Sequence, residues 1–212
     1  MNNIKLDGTF AGVKSAFETM GFTCTIVTED TNFDAYYAKD TNNKMHLRVD
    51  FSSGVVNLIT STNQSRSSVQ FSFSDAGAIY YETVGDSIVF GPYSSGPSMQ
   101  VAIIAPTSNN DDWQYYFYNN GSWFMWNGRT ETAHSALLTK LVTNANVIQV
   151  VKMFDNIRFM DNVYIMIIGP TVPRTTNNFI YVTIGEDRYF IVNIWDSYDT
   201  RSCMALKYPK GN

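Results

Sequence analysis

The sequence predicts an α+β protein in which antiparallel β-structure predominates: an N-terminal helix packed on a meander of short strands, closed by a C-terminal β-unit. Three observations lead there. Phe10, Val13, Phe17 and Met20 recur at helical spacing with Ala16 on the same stripe. After Gly21 the period of the apolar residues switches to two. Between Phe179 and Trp195, two β-branched and aromatic runs flank the polar residues Gly185-Glu186-Asp187-Arg188, the pattern of a β-hairpin.

The helix carries its own start and stop. Thr9 is placed as an N-cap and Gly21 as the residue that ends it, and its amphipathic face needs a surface, most simply the sheet that follows. Phe22–Thr28, Phe33–Ala38, Met45–Phe51 and Val55–Ser61 then read as short strands joined by turns rich in Asp, Asn, Ser and Gly. Asn63 to Ser68 reads as a polar loop, and Val69–Phe73, Ala78–Glu82 and Ser87–Phe90 continue the strand pattern. Pro92 to Pro97 is a break. Met99–Ala105 and Trp113–Tyr118 follow, and Asn120-Gly121 turns the chain into Ser122–Trp126.

Ala133, Ala136, Leu137 and Leu141 suit a short helix within Thr130–Thr143, although the threonines there disfavour it. Asn144-Ala145-Asn146 is the best boundary, giving a helix-plus-β domain over 1–144 and a β-unit over 145–212, or one continuous domain. Val147–Met153, Val163–Ile168, the hairpin and Ser202–Tyr208 complete the chain. The hairpin is apolar on both faces. Phe179, Tyr181 and Thr183 share one face of the outgoing strand; on the returning strand Tyr189, Ile191, Asn193 and Trp195 oppose Phe190, Val192 and Ile194. One face should meet the chain's own core and the other more of the chain or another subunit, so Tyr189 and Trp195, or Phe190 and Ile194, are candidate interface anchors.

Composition narrows the function classes. The chain has 212 residues, 15% of them aromatic and 16% charged, against about a quarter charged in an average domain. Low charge with abundant Ser, Thr and Asn makes a neutral polar surface, as in extracellular or virion β-proteins and many assembly subunits. A net charge of −4 and arginines that form no run argue against a nucleic-acid partner, which requires a basic stripe. The longest apolar run, Val163 to Ile168, is too short for a membrane span, and MNNIKLDGTF has no signal-peptide core. The expectation is synthesis in a cytoplasm, with no membrane partner.

No catalytic, cofactor or metal site is expected. The two histidines, His46 and His134, have no ligand at metal-binding spacing, and Cys24 and Cys203 lie in strand-like runs where a buried thiol is the simpler reading. The carboxylate pairs Glu29-Asp30, Asp111-Asp112 and Glu186-Asp187 fall at turns or strand starts, where acids cap and solubilise. The stretch WQYYFYNNGSWFMW has binding potential through Trp113, Tyr115, Trp123 and Trp126. Exposed aromatics there could stack on sugar rings, but core on one face and an intersubunit contact on the other is the favoured assignment.

The segment FAGVKSAFETMGFT, the run of small strands, and VYIMIIGPTVPRTTNNFIYVTIGEDRYFIVNIW with RSCMALKY resemble small virion structural proteins of tailed bacteriophages. Gly169-Pro170 and Pro173 ahead of the hairpin carry most of that resemblance. It implies a non-enzymatic subunit of a neck, collar, tail or baseplate, located in the virion, partnered by other virion proteins and by copies of itself in a ring. The rival expectation is a receptor- or glycan-binding module on the virion surface.

Overall fold

The computed structural model describes residues 2–37, 45–52, 55–62, 65–72, 77–92, 100–106, 113–119, 122–125, 148–155, 158–168, 179–192 and 201–210. The described part is mostly antiparallel β-sheet with one short helix. Strand β1 (Asn2–Lys5) precedes helix α1 (Phe10–Thr19). A meander sheet follows in sequence order: β2 (Thr23–Thr28), β3 (Asn32–Tyr37), β4 (Met45–Ser52), β5 (Val55–Thr62) and β6 (Ser65–Ser72). The central sheet contains β7 (Ala78–Val84), β8 (Ser87–Pro92), β9 (Gln100–Pro106), β10 (Trp113–Asn119) and β11 (Ser122–Met125), with β1 paired to β7 at its edge. The C-terminal sheet has the order β12 (Ile148–Asp155), β13 (Arg158–Ile168), β16 (Arg201–Lys207), β15 (Asp187–Val192), β14 (Phe179–Ile184).

The helix forms where the sequence places it, and its ends are closed by side chain and backbone. Thr9 Oγ1 accepts from the Gly12 amide at 3.0 Å, while Asp7 Oδ1 accepts from both the amide and the hydroxyl of Thr9 at 2.9 and 2.7 Å. These bonds hold the Asp7 carboxyl below its ordinary range. At the other end Gly21 has φ 100, a conformation that a side chain would strain. Its amide donates to Glu18 O and the Phe22 amide to Phe17 O, both at 3.0 Å, the double bond of a Schellman cap. The hydrophobic contact that accompanies such a cap is Phe17 against Phe22, ring centroids 5.1 Å apart.

The helix fills the space between two sheets. Phe10, Val13, Ala16, Phe17 and Met20 are all buried. On one side they meet the inward residues of the meander sheet, Phe33, Ala35, Leu47, Val49, Val56 and Leu58. Across from these lie Ile79, Ile88, Phe90, Ala102 and Ile104 of the central sheet. Phe17 touches both, at 5.6 Å from Phe33 and 5.7 Å from Phe90.

Val89, Val101, Ile103 and Ala105 of β8 and β9 alternate with that set and are buried as well. The C-terminal sheet covers this second face, since β13 packs against β8 and β9.

Several boundaries depart from the sequence expectation. Ser65 to Ser68, expected as part of a polar loop over Asn63 to Ser68, instead begin β6, because they continue the ladder with Thr62 to Ile59 on β5, while Asn63 and Gln64 lie outside the described residues. Strand β1 was not expected; its residues carry no pattern and are held by pairing with β7. β13 begins at Arg158, five residues before the apolar run, by pairing with β12 around an irregularity at Lys152 and Phe154. The C-terminal hairpin is tighter than expected: Ile184 pairs with Asp187 across Gly185-Glu186, and Gly185 takes φ 61 as a two-residue hairpin turn requires. The helix expected within Thr130–Thr143 and the boundary at Asn144-Ala145-Asn146 lie outside the described residues.

Candidate interaction surface

Cross-strand register sets the two faces of the C-terminal sheet. Tyr181 pairs with Phe190, Phe190 with Leu206, and Leu206 with Val163, so these four share one face. Phe190, Leu206 and Val163 are buried. The other face holds Val182, Tyr189 and Lys207, which pair in that order.

The Phe190 face looks toward the central sheet, because its outermost aromatic reaches β7. Tyr181 Oη donates to Glu82 Oε2 at 2.9 Å, and Tyr208 Oη donates to Glu82 Oε1 at 3.0 Å. One carboxylate thus clasps two phenols from the C-terminal sheet. Arg188 bridges the same rings: its guanidinium carbon lies 5.0 Å from the centroid of each, and the rings themselves are 6.4 Å apart. The Tyr208 amide donates to Arg188 O at 2.9 Å, which fixes that arrangement to the strand. Burial, then the bond to Glu82, pushes the phenol of each tyrosine upward, Tyr208 more than Tyr181. Tyr181 nevertheless remains 42% exposed.

The Tyr189 face is organised around an ion pair. Lys207 Nζ donates to Asp187 Oδ2 at 2.7 Å, and the ammonium lies 5.9 Å from the rings of both Tyr164 and Tyr189. Those rings meet edge to face at 5.9 Å. Tyr189 is buried within the chain under these neighbours.

A second exposed feature lies on the meander sheet. Strand β2 is its edge, and Ile26 and Val27 are 41% and 47% exposed. The ladder to β3 slips between Ile26 and Thr28, leaving Val27 as the extra residue of a bulge. Farther along the same sheet, Asp34 Oδ1 accepts from Arg48 Nε at 2.5 Å and lies 3.0 Å from His46 Nε2. The His46 ring stacks on Tyr36, centroids 4.9 Å apart.

Of the residues singled out from sequence, Tyr189 and Phe190 sit on opposite faces of one strand and are both buried. Trp113 is half-buried and meets Tyr37 edge to face at 6.2 Å. Tyr115 pairs with Ile104 and Trp123 with Tyr118 in the backbone ladder. Trp126, Ile194 and Trp195 lie outside the described residues. The structure instead brings together Glu82, Tyr181, Arg188 and Tyr208, none of which the sequence marks as a set. Their signal was slight: an acid inside an otherwise apolar strand, and a tyrosine sharing a face with Phe190. Among the described residues, no group of three or more His, Cys, Asp or Glu could hold a metal ion. Comparison with protein-family models, with curated proteins and with solved structures finds no match.

Proposed function

We propose that the chain is a non-enzymatic structural subunit of a tailed-phage particle, a neck, collar, tail or baseplate component that acts through protein–protein contacts. It is made in the host cytoplasm and joins other virion proteins and copies of itself in a ring. The resemblance of its two ends to such proteins supports the particle assignment. The observation that carries assembly is the edge strand β2, which bears two exposed β-branched residues side by side and no charge in TCTIVT. Soluble monomers usually protect an edge with charges, proline or a bulge. Here the bulge places Val27 outside the ladder instead of hiding it, and among the described residues β2 pairs on one side only, with β3, so the strand offers apolar surface at a sheet edge.

The test is the state of association. Wild-type protein at micromolar concentration is expected to sediment as a closed oligomer that appears as a ring by negative-stain electron microscopy. Val27→Lys puts a charge on the edge and is expected to leave a monomer whose stability changes by no more than about 0.5 kcal/mol. A wild-type chain that stays monomeric at high micromolar concentration, or a Val27→Lys variant that still forms the ring, would sink this assembly reading. Turnover of a peptide, ester or glycan by the purified chain would overturn its non-enzymatic part.

A further inference from the structure

A closed ring needs two different surfaces on each subunit, because a head-to-tail contact joins one patch to another while a two-fold contact joins a patch to itself. Among the described residues the three sheets end in the edge strands β1 and β11, β2 and β6, and β12 and β14. Four of these carry the usual guards. Strands β1 and β11 have four residues each, β6 carries Arg66, and β12 carries Lys152 beside its register irregularity. The other two, TCTIVT and FIYVTI, are six-residue strands without charge or proline. Among the described residues each pairs on one side only, β2 with β3 and β14 with β15. They belong to the two outer layers, so within one chain the central sheet stands between them.

We infer that β2 of one copy adds to β14 of the next, the two becoming neighbours in one continuous sheet. This rests on the ring assembly proposed above and supplies its second surface. Pairing of β2 with its own copy would close a two-fold dimer and leave no ring. Pairing with any of the charged edges would place a lysine or arginine beside the uncharged β2, whereas β2 and β14 together bring no charge of their own into the contact. The β14 backbone is aimed for it. Ile184 and Asp187 close the two-residue hairpin as a hydrogen-bonded pair, so the next pair, Thr183 and Arg188, is of the other kind. The amide and carbonyl of exposed Thr183 therefore point away from β15, toward the open edge. A strand laid there gains main-chain hydrogen bonds, and the exposed Ile26 and Val27 that it brings gain cover. The bond from Tyr181 to Glu82 already ties β14 to the central sheet, so little freedom is lost on docking.

Sedimentation of whole-chain variants tests the pairing. Thr183→Pro removes the outward amide without changing charge, a substitution that an edge strand tolerates where the amide faces away from the sheet. Thr183→Lys puts a charge on the same edge. Each is expected to turn the wild-type ring into a monomer, with a melting temperature lowered by no more than about 4 °C; if the proline variant melts early, the lysine variant decides. Val27→Lys keeps β14 intact and Thr183→Pro keeps β2 intact. Mixing these two monomers at high micromolar concentration should therefore give a one-to-one dimer that cannot close. A wild-type ring that persists in a folded Thr183 variant, a Thr183 variant that dimerises alone, or a mixture that stays monomeric would each overturn the pairing and leave assembly through β2 standing. A monomeric wild type would sink the ring and the pairing together.

Discussion

Removing the ring of Phe17 tests whether one helix joins the meander and central sheets into a common core. The side chain is fully buried and makes edge-to-face contacts with Phe22, Phe33 and Phe90 at centroid distances of 5.1, 5.6 and 5.7 Å. Phe→Ala in a packed core costs about 3–5 kcal/mol, and each aromatic pair adds roughly 0.5–1.5 kcal/mol beyond buried area. With three such pairs lost, Phe17→Ala should fall in the upper part of that range, about 4–5 kcal/mol. For a chain of this size each kcal/mol lowers the melting temperature by about 2–4 °C, so the expected drop is roughly 8–20 °C. Thermal and urea melts of wild type, Phe17→Ala and Phe17→Leu measure it, and the leucine variant should fall between the other two. A near-wild-type midpoint for Phe17→Ala would mean the helix is dispensable to the core, and the account of the two sheets sharing it would fail.

Two further outcomes follow from individual contacts. Glu82→Ala removes the acceptor for both Tyr181 and Tyr208 and should cost about 1.5–3 kcal/mol, the value of hydrogen bonds to a charged group. Hydrogen exchange should quicken in β14 and near Tyr208 while α1 stays protected; unchanged exchange in β14 would show that the clasp does not hold the sheet. Burial works against the charge of Asp34, but bonds from Arg48 and His46 outweigh it and hold the carboxyl below its ordinary range. A pKa lowered in the folded state contributes stability that is present above the unfolded value of about 4 and lost as pH falls through the folded value. The melting temperature of Asp34→Asn should therefore decline less than that of wild type between about pH 5 and pH 2, and parallel declines would refute the pairing.

The helix was legible in the sequence because both of its ends are written locally, in Thr9 and in Gly21 followed by Phe22. The strands of the meander were legible from alternation, as Phe33, Ala35 and Tyr37 point inward and their neighbours outward. What the sequence hides is which strands belong together. After β6 the chain leaves one sheet and enters another at β7, and nothing in the intervening residues announces that change. The Glu82 clasp was equally hidden, since Tyr181 and Tyr208 lie 99 and 126 positions away from the carboxylate. Local patterns report burial, not the identity of the neighbour that supplies it. The same limit left the hairpin faces open from sequence: Tyr181 and Tyr208, reaching Glu82, show that the Phe190 side turns inward.

The pairing of β1 with β7 means that the chain departs from and returns to one point. Lys5 and Ala78 are ladder partners, and everything between them, the helix and the whole meander sheet, is a loop hung from that junction. Such an arrangement ordinarily marks a detachable insertion, because two adjacent ends could be joined directly. Here the loop cannot be detached without harm, since its helix is the filling beneath Ile79, Ile88, Phe90, Ala102 and Ile104. On a ribosome the helix emerges long before the surface that it shields, and must either wait on the meander sheet alone or stay unfolded until β9 has been made. The residues from β1 to β9 therefore mature together, and β1, made before β7, finds its partner only after the loop is complete.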